Sequence, residues 1–197
     1  MPVICYIDYT CPYSYRARRW LRGVAAAGGD LAVSWRTFSL KQANRDPDTA
    51  SVFADPRTAS VSVLALALAH AARAAGADGF HDAVFDALHR DRRRLDPDDL
   101  AALAEAAGVD TAAFDRDRAR WLQAAADEHH EAAARYGVFG TPTLVFDPRS
   151  VVFVKLATAP AGVQALRLWR ALCTLARSHP ELVEIKRPAP ARRGEQA

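Results

Sequence analysis

A cysteine-proline-tyrosine-serine tetrapeptide, Cys11-Pro12-Tyr13-Ser14, follows the apolar run Val3-Ile4-Cys5-Tyr6-Ile7. This places a cysteine where a strand ends and a helix begins. There the unpaired N–H groups and the dipole of the first helical turn stabilise a thiolate over a thiol. Arg16, Arg18 and Arg19, one to two turns further on, add positive potential. A second signal lies far downstream, in Gly140-Thr141-Pro142-Thr143 ahead of the apolar run Leu144-Val145-Phe146. The Thr141–Pro142 bond is expected to be cis, because X–Pro is the only peptide bond at which cis is cheap. Such a bond would offer the Thr141 backbone to an extended substrate beside Cys11, as a short strand addition.

Between these signals the chain reads in a definite order. Val3 to Tyr9 is β-rich and reads as a buried strand. Pro12 suits the first turn of a helix that runs to Ala27, where Gly28-Gly29 stops it. Leu31 to Phe38 reads as a second strand, completing a right-handed βαβ unit with parallel strands. Residues 41–58 read as a loop, and Ala59 to Tyr136 as helical throughout. Asp96-Pro97-Asp98-Asp99 is a strong helix start, and Gly108 a stop. Trp121, Ala125, His129 and Ala132 form one stripe of the last helix in the block. Thr143–Phe146 and Val151–Leu156 then flank Asp147-Pro148-Arg149-Ser150 as a hairpin with a four-residue turn. Gly162 to Arg177 is the final helix.

The expected fold class is therefore α/β: β-α-β, an all-helical insertion, then β-β-α, which is a thioredoxin-like order. Residues 1–40 and 138–185 would form the thioredoxin-like part and residues 59–137 the insertion. Residues 186–197 would be a loose, charged tail.

Composition narrows the function. With 26 basic and 23 acidic residues the net charge is only +3, so bulk charge gives no reason to expect a nucleic-acid partner. The apolar stretch Val61 to Ala72 is too short to span a bilayer, and no membrane partner is expected. The first residues run into the strand without a basic n-region or cleavage site, so a cytoplasmic protein is expected. Three cysteines in unrelated contexts, Cys5, Cys11 and Cys173, do not make a disulfide framework.

Each chemical feature has a bland alternative. Cys11 could be an inert buried cysteine, the reading given to Cys5 and Cys173, but its helix N-terminal context is the one that tunes thiols. Ser14 stands where a dithiol enzyme carries its resolving cysteine; otherwise it is a small first-turn residue. Its hydroxyl can support a thiolate but cannot close a disulfide. His129 and His130 point about 100° apart on a helix, unlike the i, i+4 pair that grips one ion, so no metal is expected. Arg90, Arg92, Arg93 and Arg94 read as compensation of a helix end.

The chain resembles the DsbA-like thioredoxin-fold oxidoreductases, and within them the mycothiol-dependent nitroreductase and oxidoreductase branch. The residues that carry the resemblance are Cys11-Pro12-Tyr13-Ser14, Arg19-Trp20-Leu21, Phe38-Ser39-Leu40 with Asn44-Arg45, Gly137 to Thr143, and Glu184-Ile185-Lys186-Arg187. The resemblance puts the nucleophile on Cys11 and the cis-proline on Pro142. Substrate-binding positions fall on Pro12, Tyr13, Thr141 and Pro142, and Ser14 replaces the family's second cysteine. Val154-Lys155-Leu156-Ala157 stands where the family commonly has a glycine-proline pocket. The implied activity is monothiol thiol–disulfide exchange, with mycothiol or glutathione as co-substrate and no tightly bound cofactor. The substrate would be a disulfide or an electrophilic small molecule. The alternative is a thiol-dependent nitroreductase, or a transferase or isomerase like the kappa-class glutathione transferases and 2-hydroxychromene-2-carboxylate isomerases. A homodimer remains open.

Overall fold

The computed structural model describes residues 1–187. The expected loose tail lies, from Pro188 onward, outside the described residues. Four strands, β1 (Pro2–Ile7), β2 (Ala32–Thr37), β3 (Thr143–Asp147) and β4 (Ser150–Phe153), form one sheet in the order β2-β1-β3-β4. β1 and β2 run parallel, as a crossover helix between them requires, and β3 and β4 join antiparallel. That crossover is α1 (Pro12–Ala26). The hairpin turn is shorter than the expected four residues. Asp147 pairs with Ser150, and a bulge between Val145 and Asp147 absorbs the extra residue.

The alternation of β1 divides the core into two. Val3, Cys5 and Ile7 belong to the larger cluster, with Trp20, Leu21 and Val24 of α1. Tyr6 belongs to a smaller one, with Phe38, Ala132, Val138 and Val145. The final helix, α8 (Gly162–Ser178), packs beside α1. The Trp20 and Trp169 rings meet edge to face at 6.0 Å, and the Trp20 indole donates to the Ala165 carbonyl at 3.1 Å. Full burial of such aromatic side chains contributes several kcal/mol, on the order of 25 cal/mol per Å².

The block between β2 and β3 is helical but not continuous. It comprises α2 (Leu40–Ala43), α3 (Val61–Ala74), α4 (Gly79–Phe85), α5 (Pro97–Ala106), α6 (Thr111–Arg116) and α7 (Arg118–Tyr136). The short α2 occupies the start of the expected loop, because the Ser39 hydroxyl accepts from the Gln42 N–H and caps it. α3 is buried on every side from Val63 to Ala72, so its stripe widens into a full circumference, the pattern of a central helix. Asp96 caps α5 reciprocally with Asp99. α4 continues into a π-helical turn, Asp86–Arg90, which re-aims His89.

One polar network holds β2 to this block. Glu128 of α7 accepts from the Thr37 N–H at 2.6 Å, the Thr37 hydroxyl at 2.7 Å, and Arg36 and Arg73 at 3.0 Å each. His70 lies 3.2 Å from the same carboxylate. Burial works against the Glu128 charge, but the hydrogen bonds from His70 and Thr37 and the charges of His70 and Arg73 outweigh it. They hold its pKa far below the usual carboxylate range.

Candidate functional site

Cys11 is the N-cap residue of α1, with extended backbone and Pro12 in the first helical turn. Its N–H donates to the Asp8 carbonyl at 3.1 Å, closing the turn between β1 and α1. The Asp8 carboxylate secures that turn further. One oxygen accepts from the Thr10 N–H at 2.8 Å and the Thr10 hydroxyl at 2.6 Å; the other accepts from the Leu40 N–H at 2.8 Å. Asp8 is almost wholly buried. Its role is absent from a reading of strand patterns, although an acid at the end of a buried strand is itself a signal.

The structure brings the two sequence signals together. The Thr141–Pro142 bond is cis, and the Cys11 Sγ donates to the Thr141 carbonyl at 3.3 Å, across 130 residues of sequence. The Thr141 hydroxyl is buried and without a partner among the described residues. Val154 N–H donates to the Pro142 carbonyl at 3.0 Å, tying the proline loop to the hairpin. Cys11 is only 5% exposed. Ser14 is fully buried, and its hydroxyl accepts from the Asp8 N–H at 3.4 Å. This hydroxyl therefore supports the turn that carries Cys11.

Pro12 is exposed and Tyr13 half-buried on the outer side of the helix start. The Arg16 guanidinium lies 5.2 Å from the Tyr13 ring centre and the Lys155 ammonium 5.3 Å from it. Lys155 also sits 5.1 Å over Phe153, whose ring is 5.0 Å from Phe139. Phe139, two residues before Thr141, is 70% exposed. Tyr13, Phe139, Phe153 and Lys155 thus form an aromatic and cationic ledge. Phe139, Phe153 and Lys155 are not evident as site residues in the sequence, since only the fold brings the hairpin beside the first helix.

Not all of the expected positive potential is free. Arg16 donates to the Leu156 carbonyl at 3.0 Å, and Arg18 is paired with Asp82 at 2.5 Å. Arg90 pairs with Asp86 and Asp91, and Arg93 with Asp99. His129 is buried against Phe38, with ring centres 4.3 Å apart, whereas His130 is exposed. Among the described residues, no group of three His, Cys, Asp or Glu side chains could hold a metal ion. Cys5 is sealed in the core, where burial pushes its thiol pKa up, and Cys173 lies on α8. All three cysteines are free thiols.

The helical block grips the Cys11 turn from the other side. The Tyr9 hydroxyl shares a 2.7 Å hydrogen bond with His81 Nδ1, and His89 Nε2 donates to the Tyr9 carbonyl at 2.7 Å. The His89 ring in turn stacks on Tyr15 at 5.2 Å.

Residues 2–159 match the family model of the DSBA-like thioredoxin domain. The chain belongs to this family. A DSBA-like fold accounts for the four-stranded sheet interrupted by helices after the second strand. A relative in Mycobacterium tuberculosis, the uncharacterized protein Rv2286c, is 28% identical over 188 residues, covering 93% of this chain and 80% of that one. A probable DsbA oxidoreductase of Streptomyces coelicolor superposes with a TM-score of 0.58 at 21% identity, covering 97% of this chain and 94% of that one. A 2-hydroxychromene-2-carboxylate isomerase superposes at 0.61 and 19% identity, covering 93% of this DSBA-like chain and all of that one. These likenesses establish the fold. Among the described residues, no helix is long and apolar enough to cross a membrane.

Proposed function

We propose that this protein is a monothiol thiol–disulfide oxidoreductase of the DSBA-like family, with Cys11 as nucleophile. The observation that carries the reading is the pairing of Cys11 at the N-cap of α1 with the Thr141 carbonyl 3.3 Å away, while position 14 holds a hydroxyl. Cys11 gives up the proton it shares with the Thr141 carbonyl, and the resulting thiolate attacks the small-thiol sulfur of a mixed disulfide R–S–S–G. The S–S bond breaks, R–S⁻ departs and takes a proton, and Cys11–S–S–G remains. A second G–S⁻ attacks the G sulfur of that adduct, releasing G–S–S–G and restoring the Cys11 thiolate. The sum is R–S–S–G plus one G–SH giving R–SH and G–S–S–G, so the external thiol is the reductant and no bound redox cofactor is needed. The thiol G–SH is a low-molecular-weight one, mycothiol-like or glutathione.

The backbone of Thr141 and the ledge of Tyr13, Phe139, Phe153 and Lys155 supply the substrate contacts. Ser14→Cys is the test. Position 14 lies one helical turn after Cys11, so a new thiol there would attack the mixed disulfide intramolecularly at high effective concentration. Intact-mass analysis after mild oxidation with glutathione or mycothiol should show a Cys11 adduct in the parent. The variant should instead show an 11–14 disulfide, two mass units below the dithiol. A parent that never carries an adduct with either thiol refutes exchange, and favours the reading in which the thiol is delivered to a small electrophile by a transferase or isomerase.

A further inference from the structure

The side of α1 that faces α4 carries a pocket whose lining does not include Cys11. A pocket of about 350 Å³ is lined by Tyr15, Arg18, Arg19 and Arg22 of α1, with Asp82, Phe85, Asp86 and Arg90 from α4 and its π-helical extension. Four guanidinium groups line it with two carboxylates, and Asp91 also pairs with Arg90, which leaves a local surplus of one positive charge. Asp82 is fully engaged, one oxygen with Arg18 and the other with Arg22. Burial opposes its charge, but the hydrogen bonds and charges of Arg18 and Arg22 prevail and its pKa falls. Asp86 is taken by Arg90.

Two guanidinium groups are left under-used. Arg18 is 95% buried, since its exposure is 5%. Its Nε binds Asp82, its Nη2 reaches the Asp78 carbonyl at 3.5 Å, and its Nη1 has no acceptor among the described residues. The Arg18 guanidinium also packs over the Trp35 ring at 4.7 Å, so it is a fixed positive charge behind the pocket wall. Arg19 has no carboxylate partner among the described residues and rests 5.7 Å over the Tyr15 ring. Tyr15 and Phe85, with ring centres 6.1 Å apart, give the pocket an aromatic wall.

We infer that this pocket binds a small molecule that presents an oxyanion, a phosphate or a carboxylate, on an apolar or aromatic body. The arginine forks match such oxygens in geometry, and the pocket volume is that of a small-molecule site. The anionic group sits between Arg19 and Arg22, with the buried Arg18 charge behind it, and the body lies against Tyr15 and Phe85.

Calorimetric titration of the whole protein with phenyl phosphate and with benzoate, at constant ionic strength, tests this. At least one should bind saturably at one site. Arg19→Gln should weaken that binding by about fivefold or more, and Arg22→Gln similarly. Arg19 is exposed and unpaired, so its loss leaves the fold intact. Arg170→Gln, on the exposed side of α8, removes the same charge elsewhere and should leave binding unchanged. Tighter binding of phenyl phosphate points to a phosphate ester as the natural ligand, and tighter binding of benzoate to a carboxylate. The proposal is overturned if neither binds, if Arg19→Gln and Arg22→Gln bind as the parent does, or if Arg170→Gln weakens binding equally. None of these readouts depends on Cys11.

Discussion

The Tyr9–His81 pair joins the helical block to the turn that holds Cys11, and its energetics change with pH. Tyr9 is 1% and His81 7% exposed, and their shared hydrogen bond is 2.7 Å long. Burial, assisted by the charges of Arg18 and Arg73, lowers the His81 pKa from 6.5 to about 3. Below pH 6.5 the unfolded chain takes up a proton on this histidine that the folded chain refuses until near pH 3. Unfolding therefore binds a proton in that window, and stability is lost as the pH falls. The loss is about 1.4 kcal/mol per pH unit, or roughly 2.7 kcal/mol at pH 4.5 relative to neutrality.

The perturbation is a double-mutant cycle of Tyr9→Phe and His81→Leu, chosen to keep volume. At pH 7.5 each single change leaves the other's buried polar atom unpaired and costs about 1–3 kcal/mol. The double change removes both partners and should cost about 2 kcal/mol less than the sum of the singles. At pH 4.5 both chains carrying His81→Leu should gain about 2–3 kcal/mol relative to those that keep the histidine. That corresponds to a melting temperature higher by roughly 4–12 °C than the pH 7.5 comparison implies. His129, lowered to about 4 by burial and the nearby charge of His130, contributes its own slope equally to all four chains and cancels. Urea unfolding at the two pH values measures both quantities. A gap between parent and His81→Leu that is the same at pH 7.5 and pH 4.5 would refute the buried, neutral histidine.

Three further outcomes follow from the same kind of accounting. Glu128→Gln should cost about 3 kcal/mol at pH 7, because an amide cannot accept from Arg36, Arg73, Thr37 and His70 together. Since its folded pKa lies far below the ordinary 4.5, the stabilisation is full above that value and lost as the pH falls beneath it. The urea-measured gap should narrow by about 1.4 kcal/mol per unit below pH 4.5. Asp8→Ala should cost about 2–4 kcal/mol in urea unfolding, leaving the Thr10 and Leu40 N–H groups without their acceptor, and should slow iodoacetamide labelling of Cys11. Equal labelling rates would show that Cys11 does not depend on this turn. Gly140→Ala would bring a Cβ within 3.2 Å of the Phe153 ring. It should disturb the ledge, raising KM for a mixed disulfide about threefold or more while changing stability by under about 1 kcal/mol.

The backbone order was legible in the sequence because each sheet element carries its own signal. β1 reads as a buried apolar run, α1 is opened by Pro12, and the hairpin strands flank Asp147-Pro148. The Asp96 cap declares itself through local chemistry alone. The helical block was harder to divide. Its alanine-rich composition favours helix everywhere, and the breaks after Ala74 and Arg90 fall at Gly76 and Arg92, both with positive φ. Cys11, Ser14, Thr141 and Pro142 could be named in advance because the motifs are contiguous. Glu128 could not: beside His129 and His130 it reads as a surface acid, and only the arrival of Thr37 and Arg73 from elsewhere makes it a buried hub. The same holds for Phe139, Phe153 and Lys155, which depend on where the hairpin lies relative to α1.

The partners of the Cys11 turn say where specificity would reside in the proposed exchange. Asp8 ties the turn to Leu40, His89 and His81 tie Tyr9 to the helical block, and Thr141 accepts from the sulfur itself. Every residue from Asp8 to Cys11 is thus held through a backbone or buried side-chain contact. In the proposed exchange, a turn pinned from both parts of the fold would supply the common step, attack by a fixed sulfur, and not reshape itself around different substrates. Selection among substrates would then fall to groups that can be exchanged without loosening that turn. The exposed Phe139 and the Lys155 ammonium over Tyr13 and Phe153 are such groups. Phe139→Ala and Lys155→Gln should therefore change which disulfides are accepted, moving kcat/KM unequally between aromatic, anionic and neutral substrates. The rate of Cys11 alkylation by a small neutral reagent should stay the same. If both substitutions slow that alkylation as much as they slow turnover, the ledge supports the nucleophile instead of selecting its substrate.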